Sequence, residues 1–266
     1  RQTFDLTKDK VFTSMVVTTD EICAGIKDLY DETRTIAEPA GALSISGIKK
    51  FIKSHNIQNK VFVAIFCGAN MNFDRLRYVS ERSEIGELNE MLLGVTIPEK
   101  PGSFKKFCSS IGKKSITEFN YRYSDQRKAH VFVGIKLSNG IKDKNQILSN
   151  LKSNKYKVID LTDNEVAKLH IRYMVGGVSN SASNEMIFRF IFPEKPGELF
   201  NFLNAVGSNW NISLFHYRNH GSDFGRVLIG IQVEPKDLSR LLRHLKTLNY
   251  EFFEETSNKA YHLFLS

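Results

Sequence analysis

The string Ile97-Pro98-Glu99-Lys100-Pro101-Gly102-Ser103-Phe104 returns as Phe192-Pro193-Glu194-Lys195-Pro196-Gly197-Glu198-Leu199, an offset of 95 residues. Within one residue of that offset, Phe119-Asn120-Tyr121-Arg122 matches Phe215-His216-Tyr217-Arg218, and Val131-Phe132-Val133-Gly134-Ile135 matches Val227-Leu228-Ile229-Gly230-Ile231. Three matches in register imply a duplicated domain, and no fold that lacks an internal repeat accommodates them.

Each copy reads β-α-β-β-α-β. Leu92 to Ile97 is a short apolar strand, and after the Pro-Gly turn Phe104, Phe107 and Ile111 recur at helical spacing. Ile116 to Tyr123 alternates, Ser124-Asp125 turns, and Val131 to Leu137 forms the second arm of a hairpin. Ile147 and Leu151 mark another helix before a last strand at Val158-Ile159. The second copy repeats the order with Met186 to Phe192, Leu199 to Val206, Ile212 to Tyr217, Arg226 to Val233, Leu238 to Leu248 and Tyr250 to Phe253. A split βαβ sheet covers one face with helices, so the other face is expected to be satisfied by pairing the two copies.

Before the repeat the pattern changes. Ile22, Ile26 and Leu29 mark one amphipathic helix, and Leu43, Ile48, Phe51 and Ile52 mark another with Pro39 near its start. Lys60 to Phe66 (KVFVAIF) is a continuous apolar run of the kind found in buried parallel strands, and it ends in Cys67-Gly68-Ala69-Asn70. Ligands of open α/β sheets lie beyond the carboxyl ends of strands, which makes this tetrapeptide a candidate cofactor contact.

The Pro-Glu-Lys-Pro-Gly turns and the two Tyr-Arg strands resemble the ACT-like domains of the threonine deaminase family. Upstream, Glu38-Pro39-Ala40-Gly41-Ala42, Gly68-Ala69-Asn70-Met71-Asn72-Phe73 and Arg75-Leu76-Arg77-Tyr78 resemble the C-terminal end of the catalytic domain in fold-type II pyridoxal-phosphate enzymes, again threonine deaminase. The resemblance implies an α/β chain in three parts. Residues 1–86 would close the pyridoxal-phosphate catalytic domain, and 91–162 and 186–257 would be ACT-like (ferredoxin-like) domains. It implies a threonine ammonia-lyase that converts L-threonine to 2-oxobutanoate and ammonia for isoleucine synthesis, inhibited by isoleucine, opposed by valine, and assembled as a homotetramer. Pyridoxal 5'-phosphate would be contacted by Cys67, where the family usually has Ser, together with Gly68 and Glu38. The family's Schiff-base lysine and glycine-rich phosphate loop have no match, so no catalytic residue is assigned and the chain alone is expected to lack the activity. Lys27, Lys49 and Lys50 sit on polar helix faces. For the effector, the matched candidates are Tyr121, Arg122, Tyr217 and Arg218, with Arg172 on an expected strand Leu169-His170-Ile171-Arg172-Tyr173 between the domains.

Other functions have less support. A net charge of +8 could suit nucleic acid, but the densest basic stretch, Lys142 to Lys157, carries apolar residues at helical spacing and reads as a solvated helix face. His216 and His220 are four apart, yet strand followed by turn is not the helix that would make them a metal pair. GxSxG, HExxH and P-loop strings are absent. Cys23, Cys67 and Cys108 form no CxxC pair and are read as lone thiols of a reducing compartment. No apolar run approaches the roughly 20 residues of a membrane span. The chain opens on Arg1 with no leader pattern and is read as a fragment or processed chain, with bacterial cytoplasm favoured over plastid or mitochondrion. The alternative from another class is a stand-alone amino-acid-binding regulatory protein.

Overall fold

The computed structural model describes residues 2–206, 209–219 and 224–265. It divides into two compact units, residues 1–89 and 90–266.

In the first unit four helices follow one another: α1 (Gln2–Thr7), α2 (Thr19–Thr33), α3 (Pro39–His55) and α4 (Phe73–Gly86). Helix α2 opens with a reciprocal capping box: the Glu21 amide donates to Thr18 Oγ1 at 3.2 Å, and the Thr18 amide donates to Glu21 Oε2 at 2.6 Å. Pro39 occupies the first turn of α3, where its missing N–H is an orphan in any case. Helices α2 and α3 approach closely because Gly25 leaves room for Ser46, whose hydroxyl donates to the Glu21 carbonyl at 2.9 Å. A small core of Cys23, Ile26, Ala37, Ala42 and Val79 lies beneath them. The nearly buried pair Arg82–Asp20, 2.5 Å apart, ties α4 to the start of α2.

The expected strand at Lys60–Phe66 is not one here. The segment has no strand pairing, and Val61, Val63 and Ile65 are largely exposed. A parallel strand needs neighbours to take its N–H and C=O groups, and the described residues of this unit contain no other strand.

The second unit is one eight-stranded sheet in the order β4-β1-β3-β2-β6-β7-β5-β8, with every pairing antiparallel. The first copy contributes β1 (Glu90–Pro98), α5 (Ser103–Ile111), β2 (Ile116–Arg122), β3 (Lys128–Lys136), α6 (Gly140–Ser153) and β4 (Lys157–Asp160). After a short α7 (Glu165–Leu169), the second contributes β5 (Glu185–Pro193), α8 (Glu198–Val206), β6 (Asn211–Arg218), β7 (Phe224–Gln232), α9 (Leu238–Lys246) and β8 (Glu251–Glu254), followed by α10 (Lys259–Phe264). Both copies are therefore βαββαβ, as their patterning predicts. Gly102 and Gly197 take φ of +85° and +82°, which explains why glycine follows proline in both turns.

The copies meet through strand edges rather than through their open faces. Strand β2 pairs with β6 in the register Glu118↔Arg218, Asn120↔His216 and Arg122↔Leu214. Residues one repeat apart thus exchange places about a pseudo-twofold axis, the internal analogue of an isologous dimer. Edge pairing wins because β2 and β6 would otherwise each leave a row of unpaired backbone groups. It also fuses the two helix-covered cores: Phe119 and Phe215 meet edge-on with centroids 5.2 Å apart, and Phe104 and Phe202 pack onto Phe215.

The expected strand Leu169–Tyr173 is instead the end of α7 followed by a 3₁₀ turn at Ile171–Tyr173. Asn164 caps α7 by accepting from the Ala167 amide at 2.9 Å, and a started helix overrides the β-propensity of Ile171 and Tyr173. The chain then runs as a strap across the end of β2. Arg122 Nε donates to the Gly177 carbonyl at 2.9 Å and Ser179 Oγ to the Tyr123 carbonyl at 2.7 Å.

Candidate functional site

Each Pro-Glu-Lys-Pro-Gly turn is locked to its own copy by the tyrosine of the matching strand. The Tyr121 hydroxyl donates to Glu99 Oε2, and the Tyr217 hydroxyl donates to Glu194 Oε1 at 2.5 Å. Burial and these acidic partners push both phenols well above their ordinary range. Burial raises both carboxyls too, opposed by the tyrosine bonds, and at Glu99 also by a hydrogen bond from Asn211.

Behind each turn lies a small cavity of about 10 Å³, room for one water. Each is walled by both copies. The first turn supplies Lys100, Gly102 and Phe104 against Leu203, Trp210 and Asn211 of the second copy. The second supplies Glu194, Lys195, Leu199 and Tyr217 against Cys108 and Ser115 of the first. Larger and more open depressions of about 580 and 510 Å³ flank the strap, the first with walls such as Phe132 and Met174 and the second with Ile187, Leu228 and, from α10, Tyr261 and Phe264.

The three arginines singled out from the sequence do not line the turn cavities. Arg122 grips Glu185 of the other copy with Nη1 at 2.5 Å and Nη2 at 3.1 Å, and Nη2 also donates to the Leu265 carbonyl at 2.5 Å. Arg172 lies between Glu118, with Nε at 2.6 Å from Oε1, and Glu90, at 3.4 Å from Nη2. Arg218 stacks on Tyr173 at 4.4 Å and approaches Glu118 Oε1 to 3.8 Å. All three guanidinium groups serve charge clusters that join one copy to the other or to the connecting strap. Burial pushes Glu118 up to about 7 against the pull of Arg172, and its Oε2 has no partner. The acidic half of these clusters, Glu90 and Glu185 with Glu118, was missed from the sequence. The signal was present, since Glu90-Met91 and Glu185-Met186 recur at the repeat offset as charges at the start of apolar strands. A third repeated feature was also unread: Thr162 and Thr256 accept from the Leu92 and Ile187 amides at 3.2 and 3.0 Å, before the Asn-capped helices α7 and α10.

In the first unit the three candidate cofactor contacts come together. The Glu38 amide donates to the Gly68 carbonyl at 3.2 Å, and Glu38 Oε2 accepts from the Asn70 amide at 3.2 Å. Gly68 has φ +84°, and a Cβ there would strike the Glu38 carboxylate, just as one at Gly41 would strike the Cys67 carbonyl. The loop is thus folded onto the start of α3 with the Cys67 thiol exposed beside it. These residues fit one contact of a pyridoxal phosphate, a neutral partner for its ring nitrogen. Lys27, Lys49 and Lys50 are spent on Asp31, Asp28 and Glu21. His220, half of the histidine pair, lies outside the described residues.

Two βαββαβ copies joined edge to edge, each closing a cavity behind the other's turn, define a paired ACT-like regulatory module. The sequence profile of the C-terminal regulatory domain of threonine dehydratase matches twice, over residues 81–171 and 176–265. Biosynthetic L-threonine dehydratase of Pasteurella multocida is 48% identical over 99% of this chain and 52% of its own length, and that of Escherichia coli 48% identical over 100% and 51%. The mitochondrial threonine dehydratase of Saccharomyces cerevisiae is 43% identical over 99% of this chain and 48% of its own. The chain belongs to the threonine dehydratase family and carries its duplicated regulatory domain. It spans about half the length of the curated relatives it matches.

Proposed function

We propose that this chain is the regulatory part of a biosynthetic threonine dehydratase, a lyase that converts L-threonine to 2-oxobutanoate and ammonia, and that isoleucine inhibits the enzyme through the paired sheet while valine opposes it. The observation that carries this reading is the pair of turn cavities, each walled by both copies, so that a ligand at either one changes how the copies fit together. A ligand can shift an equilibrium only through contacts that differ between two arrangements, and an interface provides such contacts.

Residues 1–86 are proposed to complete the catalytic domain, and a homotetramer is proposed for the whole enzyme. Pyridoxal 5'-phosphate, when bound, supplies the electron sink that lets the Cα proton and then the β-hydroxyl of threonine depart. Cys67 would offer its thiol to the ring nitrogen, with Glu38 and Gly68 holding the loop that presents it. A bacterial cytoplasmic setting is proposed on the higher identity to bacterial relatives than to mitochondrial and chloroplastic ones.

The test is made on the full-length enzyme. Arg218→Lys keeps the charge but loses the planar fork that stacks on Tyr173 and reaches Glu118. It is expected to raise the isoleucine concentration needed for half-inhibition about 5- to 150-fold, the range of ordinary allosteric couplings, with threonine turnover unchanged. Unchanged isoleucine sensitivity accompanied by lost turnover would show that the residue maintains the assembly instead.

A further inference from the structure

Helices α6 and α9 hold the same place in the two copies but show solvent different surfaces. Ile147 and Leu151 of α6 and Leu241 and Leu245 of α9 are the buried inner residues, at an offset of 94. At that offset Gln146 and Ser149 of α6 become Arg240 and Arg243 of α9, and Lys142 and Lys152 become Lys236 and Lys246. The four cations of the second copy are exposed, and none has an ion-pair partner among the described residues. Spaced three to four residues apart on and just before α9, they form one outward stripe about 15 Å long. The fold does not need the two arginines, because Gln146 and Ser149 serve the same helix in the first copy. The charge is also local to this half of the chain. Residues 90–266 hold 25 Lys and Arg against 17 Asp and Glu, whereas residues 1–89 hold 12 of each, so the whole excess of +8 lies in the paired sheet unit.

An aromatic ring stands beside the stripe. Trp210 is half-buried and packs on His244 of α9 with ring centroids 5.3 Å apart. On its other side it meets the segment of the exposed Lys100 and Lys105 in the first copy, so the cationic surface continues past it from one copy to the other. We propose that the outer side of α9, with Trp210 beside it, is a binding surface for single-stranded RNA. A row of cations tracks a phosphate backbone, planar guanidinium groups grip phosphate oxygens in pairs, and an aromatic ring beside them stacks an unpaired base. A membrane surface fits less well. All four leucines of α9 pack into the core, which leaves Ser239, Thr247 and the cations outward and nothing apolar to enter a bilayer. A run of acidic side chains would match the cations alone, without the flat rings that Trp210 and the arginines stack against. The surface is separate from the amino-acid reading given above and stands or falls without it.

The experiment is fluorescence anisotropy of a labelled oligouridylate of about 16 nucleotides titrated with this chain over a range of salt. With the native chain, log affinity should fall against log salt with a slope of about −3, the signature of about four phosphate contacts on a single strand. The double variant Arg240→Gln, Arg243→Ser installs the first copy's own residues on α9, so the helix keeps a sequence this fold already carries. It should halve the slope and weaken binding about 10- to 100-fold. Lys142→Gln with Lys152→Gln removes the same charge from α6 and should stay within about 2-fold of native, because salt confines an exposed charge to its own neighbourhood. Trp210→Leu, checked for folding by its thermal midpoint, should weaken binding about 5-fold or more with the slope unchanged. Equal losses in the two double variants would mean diffuse charge attraction and overturn the proposal, as would no binding by the native chain at about 0.15 M salt. Phosphatidylglycerol vesicles or polyglutamate bound as tightly as the RNA, or a folded Trp210→Leu of native affinity, would overturn the assignment to RNA.

Discussion

Replacing Arg172 with alanine is expected to destabilise the paired sheet by about 3–5 kcal/mol, the usual cost of removing one partner from a buried ion pair. The side chain is only 5% exposed and lies between two carboxylates, Glu90 and Glu118, that are 5% and 1% exposed. Its removal leaves two like charges facing each other, and like charges in one site resist ionising together. The loss is therefore expected to depend on pH. Glu118 already holds its proton to about pH 7 in the folded chain, raised from 4.5. Because the folded state binds that proton more tightly than the unfolded one, the carboxyl costs stability progressively as pH rises from about 4.5 to 7. Without Arg172 the penalty grows, so urea unfolding should show a larger deficit at pH 8 than at pH 5. A deficit below about 1 kcal/mol at both values would mean that the cluster contributes little to holding the copies together.

Phe215→Ala is expected to cost about 3–5 kcal/mol as well, by a different route. Phe215 is completely buried on β6 at the junction of the copies, where it touches Phe104 and Phe119 of the first copy and Phe202 of the second. Truncation opens a cavity shared by both cores, and neither half can close it without shifting β6 against β2. Thermal unfolding of this variant should separate into two steps as the copies uncouple. A single transition at an unchanged midpoint would place the coupling elsewhere.

The repeat made the second unit legible, because strand alternation and helical spacing agreed with the turn glycines at two sites and each copy checked the other. What escaped were features set by partners distant in sequence. KVFVAIF has the composition of a buried strand, but a strand exists only when its backbone groups are paired, and the described residues of the first unit contain no strand to pair with it. The segment Leu169–Tyr173 looked extended because Ile171 and Tyr173 favour strands, while the decisive residue was Asn164, five positions upstream, capping a helix. Edge pairing is driven by backbone groups at the margins of β2 and β6, which every strand carries, so side-chain alternation could not reveal it. The candidate site was legible in part: Tyr121 and Tyr217 proved to lock the turns, and Arg122, Arg172 and Arg218 proved to sit in charge clusters whose acidic members were not foreseen.

The central claim, that the paired sheet senses an amino acid at the junction of its copies, is tested most directly by hydrogen–deuterium exchange with and without L-isoleucine. Amides in stable, ligand-bound structure exchange slowly because they must open first. The account predicts added protection in the turn and helix at residues 192–203, the facing segment 108–116 and the β2–β6 pair, with residues 2–89 unchanged. Protection confined to residues 2–89, or none at saturating isoleucine, would contradict it.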